Sequence, residues 1–175
     1  MLEKGLVHIY TGEGKGKTTS ALGLAIRARG RGKKILFAQF FKEKDSPGEL
    51  ALLEHLGIRT LVFDTIKSPF FYPDINRDYL KEEVRKALRQ IQHLFSEQQP
   101  DLVILDEFIC LVSEHVLAEH EAVSFIAERP ENIEIVLTGR GATEQIISLA
   151  DYVTNMQNIK HPFDKGISAR TGIEI

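Results

Sequence analysis

The chain contains a glycine-rich segment, TGEGKGKTT at residues 11–19, between a short apolar run and a helical pattern. Its glycines let the main chain turn tightly and point consecutive N–H groups inward. The amino terminus of the helix that follows adds free N–H donors and partial positive charge. A strand, a glycine-rich turn and a helix in this order predict an α/β fold with a parallel sheet and a binding site for a polyphosphate.

Within this segment, the residue types that phosphate binding requires stand in the expected order. Lys17 can reach the terminal phosphates, and the Thr18 hydroxyl is placed to ligate Mg²⁺. The loop is one residue shorter than the regular phosphate loop, since three residues separate Gly12 from Gly16, and Lys15 adds a cation. A glycine-rich turn without a ligand is the alternative. The predicted nucleotide-binding residues are Gly12, Glu13, Gly14, Lys15, Gly16, Lys17, Thr18 and Thr19.

An acidic pair follows a second apolar run. The run DLVIL at residues 101–105 leads directly into Asp106 and Glu107. In phosphate-binding folds, a carboxylate at the end of a buried strand holds Mg²⁺ directly or through water. A helix cap is the alternative role for an aspartate in this place. Together with the glycine-rich loop, the pair predicts a metal site formed by Thr18, Asp106 and Glu107.

Short apolar runs alternate with helical patterns, which is typical of a parallel sheet with crossover helices. The predicted strands span residues 6–10, 34–41, 60–63, 101–105, 133–137 and 152–156. The predicted helices span residues 17–29, 48–55, 77–97, 121–127 and 143–150. We expect one domain over residues 1–175, with a long loop at residues 64–76 and a non-periodic C-terminal tail at residues 158–175.

The amino-acid composition argues against several classes of protein. The 175 residues include 22 Lys and Arg against 25 Asp and Glu, and this net charge of −3 gives no support for nucleic-acid binding. The single cysteine, Cys110, excludes an intramolecular disulfide and a multi-cysteine metal centre, and its apolar neighbours predict core packing. The sequence shows neither a run near the ~20 apolar residues of a membrane span nor a signal-peptide pattern. We therefore expect a cytoplasmic protein without nucleic-acid or membrane partners.

Motifs along the chain occur in the order of one known family: YTGEGKGKTT, FAQF before Lys42, LDE at residues 105–107, VLTGR at residues 136–140 and KHPFDKGISARTGIE in the tail. They resemble the P-loop-type ATP:corrinoid adenosyltransferases, which act on cob(I)alamin or cob(I)yrinic acid a,c-diamide. The resemblance covers nearly the whole chain. It implies a three-layer, P-loop NTPase-like (RecA-like) α/β domain with a mostly parallel central sheet.

The resemblance also implies a reaction. The 5′-deoxyadenosyl group of ATP is transferred to the Co(I) of a reduced corrinoid, and triphosphate leaves, as in adenosylcobalamin biosynthesis or salvage. Lys15 and Lys17 are the implied catalytic residues, because cations stabilise the leaving triphosphate, and Arg27 is implied near the nucleotide. The implied metal ligands are Thr18 and Glu107, with Asp106 behind them.

The implied substrates and partners are ATP, a reduced corrinoid, Mg²⁺ (or Mn²⁺), a second copy of the chain in a homodimer, and a flavoprotein reductant. Two alternatives to the transferase stay open. One is a conventional P-loop ATPase or kinase, in which Glu107 polarises an attacking water or hydroxyl group. The other is a nucleotide- or corrinoid-binding module without catalysis.

Two features depart from the pattern of that family. Longer members carry an N-terminal helical extension, whereas this sequence begins five residues before its first predicted strand. Many members also carry a Phe-Thr-Trp stretch after the third strand, but this chain has no Trp and reads KSPFFYPD there. We expect Phe70, Phe71 and Tyr72 to anchor this loop by burial; an aromatic wall against the corrin is the alternative.

Overall fold

A six-stranded, all-parallel β-sheet forms the centre of the computed structural model, which describes residues 3–42 and 48–174. The strands are β1 (Val7–Thr11), β2 (Ile35–Gln39), β3 (Arg59–Val62), β4 (Leu102–Asp106), β5 (Glu134–Thr138) and β6 (Tyr152–Asn155). They lie in the order β3-β2-β4-β5-β1-β6, and every described pairing is parallel. Each predicted strand is present, with its ends displaced by one or two residues at most.

Six α-helices accompany the strands in the described residues. They are α1 (Lys17–Arg29), α2 (Leu50–His55), α3 (Arg77–Gln98), α4 (Phe108–Ser113), α5 (Glu119–Ala127) and α6 (Glu144–Ser148). Helix α4 is the one that the sequence patterns do not predict. Its first five residues are all buried, so it lacks the polar face from which an amphipathic helix is identified.

Two apolar clusters, one on each face of the sheet, produce three layers. Because successive side chains of a strand point to opposite faces, β4 contributes Val103 and Leu105 to one cluster and Leu102 and Ile104 to the other. Helices α3 to α6 supply the first cluster, and α1 and α2 supply the second. The predicted apolar stripe of α3 is buried in the first cluster: Leu80, Val84, Ala87, Leu88, Ile91, Leu94 and Phe95.

The loop at residues 64–76 corrects one expectation. Phe70 and Phe71 are 79% and 75% exposed and Tyr72 is also exposed, so the expected burial of these aromatic rings is wrong. Ile66 is the buried anchor instead. The N–H groups of residues 71 and 72 both donate to the carbonyl oxygen of Ser68, and this tight turn projects the following rings outward.

The C-terminal tail forms no strand in its described part, residues 158–174. It contains one short 3₁₀-helix, Pro162–Lys165, and otherwise turns and irregular chain. No helix within residues 3–42 and 48–174 combines the length and the apolar character needed to cross a membrane.

Candidate active site

The glycine-rich loop joins β1 to α1 and closes around the side chain of Lys17. The Lys17 ammonium donates to the carbonyl oxygens of Gly12 at 2.7 Å and of Gly14 at 2.8 Å. Gly12 and Gly16 have φ angles of 98° and 120°, which side-chain-bearing residues adopt only under strain. A Cβ atom at Gly12 would also collide with Met156, which follows β6. The loop is therefore a tight turn with a cation at its centre.

Burial gives Lys17 a strong preference for an anion. Only 9% of the residue is exposed, and burial lowers the pKa of its ammonium group, with the nearby charge of Arg140 acting in the same direction. Carbonyl oxygens carry only partial negative charge. A phosphate at the loop would supply the full negative charge that this buried cation favours.

Asp106 ends β4 and links the loop to the two neighbouring strands. Its Oδ1 accepts hydrogen bonds from Thr18 Oγ1 at 2.9 Å and from Thr138 Oγ1 at 2.6 Å. Gln39 Nε2, at the end of β2, lies 3.4 Å from Oδ2. The residue is fully buried, and burial raises the pKa of its carboxyl group, as does the nearby Glu107. The predicted neighbours Thr18 and Asp106 are thus in direct contact.

Glu107 follows in a left-handed conformation, with φ 61°, and occupies the N-cap position of α4. Its N–H donates to Thr138 Oγ1 at 2.9 Å. Its carboxylate Oε2 accepts a hydrogen bond from Cys110 Sγ at 2.9 Å. Cys110 is buried, as the sequence predicts, and burial raises the pKa of its thiol, so the group is a protonated donor. Both the main chain and the side chain of Glu107 are therefore held in place.

Two further charged contacts border the loop. Arg140, just beyond β5, places Nη1 at 3.3 Å from Glu13 Oε2. Lys15 Nζ donates to the carbonyl oxygen of Ile173 at 3.1 Å and lies 3.5 Å from Glu174 Oε1. The C-terminal tail thus reaches the glycine-rich loop through its extra lysine.

The oxygen atoms beside the loop suit a hard divalent cation, which prefers oxygen ligands. Thr18 Oγ1 and Asp106 Oδ1 lie together, and the buried Gln39 Oε1 has no hydrogen-bond partner among the described residues. Within residues 3–42 and 48–174, no group of three or more His, Cys, Asp or Glu side chains is arranged so that it could hold a metal ion. The residues therefore fit Mg²⁺ if water and phosphate oxygens supply its other ligands.

The structure brings the predicted loop, Asp106 and Glu107 to one edge of the sheet, while the nucleotide contact of Arg27 stays a prediction. Arg27 is exposed on α1, and ten residues of helix beyond Lys17 correspond to about 15 Å along its axis. The sequence patterns do not assign Gln39, Thr138 or Arg140 to the site. Thr138 and Arg140 follow the carboxyl end of the predicted strand at residues 133–137, where ligands of parallel sheets bind, and this position is the available signal for them. Gln39 lies inside the predicted strand at residues 34–41 and carries no such signal.

Comparisons with known proteins agree with this arrangement. The family model described as ATP:corrinoid adenosyltransferase BtuR/CobO/CobP matches residues 3–175. The chain is 36% identical over 172 residues to the corrinoid adenosyltransferase of Escherichia coli (strain K12) and 34% identical over 172 residues to that of Salmonella typhimurium. It is 34% identical over 174 residues to that of Pseudomonas aeruginosa.

These matches cover 98% of this chain and 86%, 86% and 84% of the three relatives, in the same order. They therefore include the glycine-rich loop, the acidic pair that ends β4, and the tail. With a family match over residues 3–175 and a sheet that brings the loop and the acidic pair together, this chain belongs to the ATP:corrinoid adenosyltransferase family.

Proposed function

We propose that this chain transfers the 5′-deoxyadenosyl group of ATP to the Co(I) of a reduced corrinoid. In this reaction the electron pair of Co(I) attacks C5′ of the ribose, a Co–C bond forms, the C5′–O bond breaks, and its electrons leave with the triphosphate. The observation that carries the proposal is the family match over residues 3–175. The closed, cation-centred loop agrees with it, since a triphosphate leaving group requires such a site.

In this proposal the glycine-rich loop stabilises a leaving group rather than a reacting phosphate. The Lys17 ammonium and the N–H groups at the amino end of α1 hold the triphosphate and stabilise the charge that develops on it. Lys15 adds a second cation from the exposed side of the loop. The ribose must then point away from the loop so that C5′ faces the corrinoid. The protein needs no general base, because cobalt supplies the nucleophilic electrons.

Mg²⁺ belongs to the same proposal. Thr18, Asp106 and Glu107 would hold the ion, which balances the negative charge of the triphosphate when it is bound. Asp106 is the buried acceptor that touches Thr18 directly. Glu107 is fixed beside it by Thr138 and Cys110.

The loop at residues 64–76 is the proposed contact for the corrinoid. The rings of Phe70 and Phe71 are exposed and meet edge to face, with centroids 5.0 Å apart. Ser68 Oγ donates to Glu114 Oε2 at 2.7 Å, which fastens the loop to the carboxyl end of α4. Since α4 begins beside Glu107, this contact ties the exposed rings to the helix that borders the site. An aromatic wall against the flat corrin ring accounts for their exposure.

A homodimer and a flavoprotein reductant complete the proposal. All four residues of the edge strand β6 are exposed, including Tyr152 and Val153, so this edge is open to a second copy of the chain. Sedimentation analysis would detect a dimer of twice 19.8 kDa. The reductant follows from the chemistry, because the corrinoid must reach the Co(I) state before it can attack ATP.

Product analysis tests the proposed function. The protein is incubated without oxygen with ATP, Mg²⁺ and chemically reduced cobalamin, and the absorbance spectrum and the phosphate products are followed. We expect adenosylcobalamin and triphosphate in equal amounts. ADP and inorganic phosphate with unchanged corrinoid would instead indicate a conventional ATPase or kinase. Tight ATP binding without any product under strongly reducing conditions would indicate a binding module.

A further inference from the structure

Cys110 lies at a junction between two loops that border the site. It is the third residue of α4, and its Sγ donates to Glu107 Oε2 at 2.9 Å. The same sulfur accepts a hydrogen bond from the N–H of Arg140 at 3.2 Å. One thiol therefore connects the loop after β4 to the loop after β5. The proposed mechanism names this side chain only as a contact of Glu107 and gives it no role of its own.

Both partners of Cys110 carry charged groups next to the phosphate loop. The Glu107 carboxylate is a proposed ligand for Mg²⁺, and Arg140 reaches Glu13 of the glycine-rich loop at 3.3 Å. The Arg140 and Glu13 side chains are 61% and 66% exposed, so they cannot fix each other by packing alone. The part-buried hydrogen bonds of Cys110 are better suited to hold these loops in a single arrangement.

The surroundings of Cys110 are built closely around its sulfur. Gly139, between Thr138 and Arg140, has φ 140°, and a Cβ atom there would lie 2.8 Å from the Cys110 nitrogen and 3.1 Å from its Sγ. Such distances leave no room for a side chain at this position. The close approach of the two loops thus depends on a glycine on one side and a small, polar sulfur on the other.

We propose that Cys110 is a positioning residue of the adenosyl-transfer site, whose thiol fixes the Glu107 carboxylate and the Arg140 main chain beside the phosphate loop. This inference rests on the proposed function, because it assigns Glu107 to the binding of Mg·ATP. Cys110 does not touch the substrate and acts through Glu107. Outer partners of this kind orient a ligand and change the affinity of the site without taking part in bond making.

Three variants separate hydrogen bonding from packing. Cys110→Val keeps a small apolar group but can neither donate to Glu107 nor accept from Arg140. Cys110→Ser keeps a donor and an acceptor at the same place. Val112→Ala is the matched control, since Val112 is a buried residue of the same helix with purely apolar packing. Calorimetry of ATP binding with Mg²⁺ and with EDTA, thermal unfolding, and the KM values for ATP and cobalamin are measured for each.

We expect Cys110→Val to weaken Mg·ATP binding and to raise the KM for ATP by about 10- to 100-fold, the range seen when an outer partner of a metal ligand is removed. Its KM for cobalamin and its ATP affinity in EDTA should stay within about threefold of the wild type. Cys110→Ser should recover most of the loss. Val112→Ala should lower the unfolding temperature but leave the Mg²⁺-dependent affinity unchanged.

Two results would overturn the inference. One is equal Mg·ATP affinity in Cys110→Val and Val112→Ala, because the thiol would then contribute packing alone. The other is a Cys110→Ser variant as impaired as Cys110→Val, because hydrogen bonding would then not be the property that matters. A wild-type protein that binds Mg·ATP without forming adenosylcobalamin would contradict the proposed function instead. The calorimetric comparison of the variants would still decide the role of Cys110.

Discussion

Lys17 is a buried cation whose described partners, the carbonyl oxygens of Gly12 and Gly14, belong to its own loop. These contacts hold the ammonium group at the centre of the turn. A single side chain thus shapes the loop and supplies its central charge.

Replacement of Lys17 by Ala should therefore weaken ATP binding strongly. We expect the loss of a charge-assisted contact of ~1.5–3 kcal/mol, which corresponds to about 10- to 150-fold in the dissociation constant. Titration calorimetry and turnover at limiting ATP measure it. Lys34→Ala is the control, because this exposed lysine precedes β2 at the opposite end of the sheet. Turnover near the wild-type level at limiting ATP would contradict the proposed role of Lys17 in holding the triphosphate.

Most of the predicted site residues that the structure brings to one edge of the sheet are next to each other in the chain. The loop from Gly12 to Thr19 and the pair Asp106 and Glu107 carry their signal in a few consecutive positions. Thr138 could not be assigned in this way, because its contact with Asp106 joins residues 32 positions apart. Only the pairing of β4 with β5 brings these two side chains together.

At the scale of elements, the sequence predicts strands and helices with a periodic pattern to within a few residues. It does not predict helix α4, in which five of six residues are buried. The sequence predicts a loop at residues 64–76, but it does not predict that the aromatic rings of this loop are exposed. Burial of an aromatic residue depends on the cavity that the rest of the fold leaves for it. Here Ile66 fills the space below the loop, and the rings turn outward.

Substitution of both Phe70 and Phe71 by Ala tests the proposed corrinoid contact. Because both rings are exposed, we expect the free energy of unfolding to change by no more than about 0.5 kcal/mol. The KM for cobalamin should rise about 10-fold as two aromatic contacts are lost, while the KM for ATP stays constant. Phe163→Ala is the matched control, since Phe163 is also 75% exposed. An unchanged KM for cobalamin would remove these rings from the site.

The C-terminal tail contacts Lys15, the cation that we propose also contacts the triphosphate. Lys15 lies 3.5 Å from Glu174 Oε1, and the pair is partly exposed, so it is readily exchanged for a stronger anion. We expect Glu174→Gln to tighten ATP binding about two- to fivefold by removing the competing carboxylate. Titration calorimetry measures this change, with the exposed Glu131→Gln as control. Weaker binding in Glu174→Gln would mean that the tail supports the bound nucleotide instead.

At the scale of the whole molecule, the strand order determines where the site forms. Strand β5 lies between β4 and β1, so the glycine-rich loop, the acidic pair and Arg140 leave the sheet at neighbouring carboxyl ends. The connection from β1 to β2 passes over β5 and β4, whereas later connections run across the sheet in the opposite direction. Ligands of open parallel sheets bind beyond the carboxyl ends of the strands, where the strand order reverses in this way. The formal charge of −3 conceals this local cluster of cations. The function therefore depends on the topology that places these charges together.

A ligand that binds this site should stabilise the entire fold, because the site exists only in the folded protein and binding draws the equilibrium toward it. At ATP concentrations about 100 times the dissociation constant, with Mg²⁺ present, stability rises by about 2.7 kcal/mol, or roughly 5 to 10 °C in the unfolding temperature of a domain of this size. Thermal unfolding should show a similar rise with tripolyphosphate and a much smaller one with adenosine, since the described contacts favour the phosphate chain. At the same concentrations, Lys17→Ala should reduce the stabilisation by either anion to about 0.3–1.4 kcal/mol, because the dissociation constant rises about 10- to 150-fold. Stabilisation by adenosine equal to that by ATP would place the main binding energy outside the phosphate loop and contradict its role as the clamp for the leaving group.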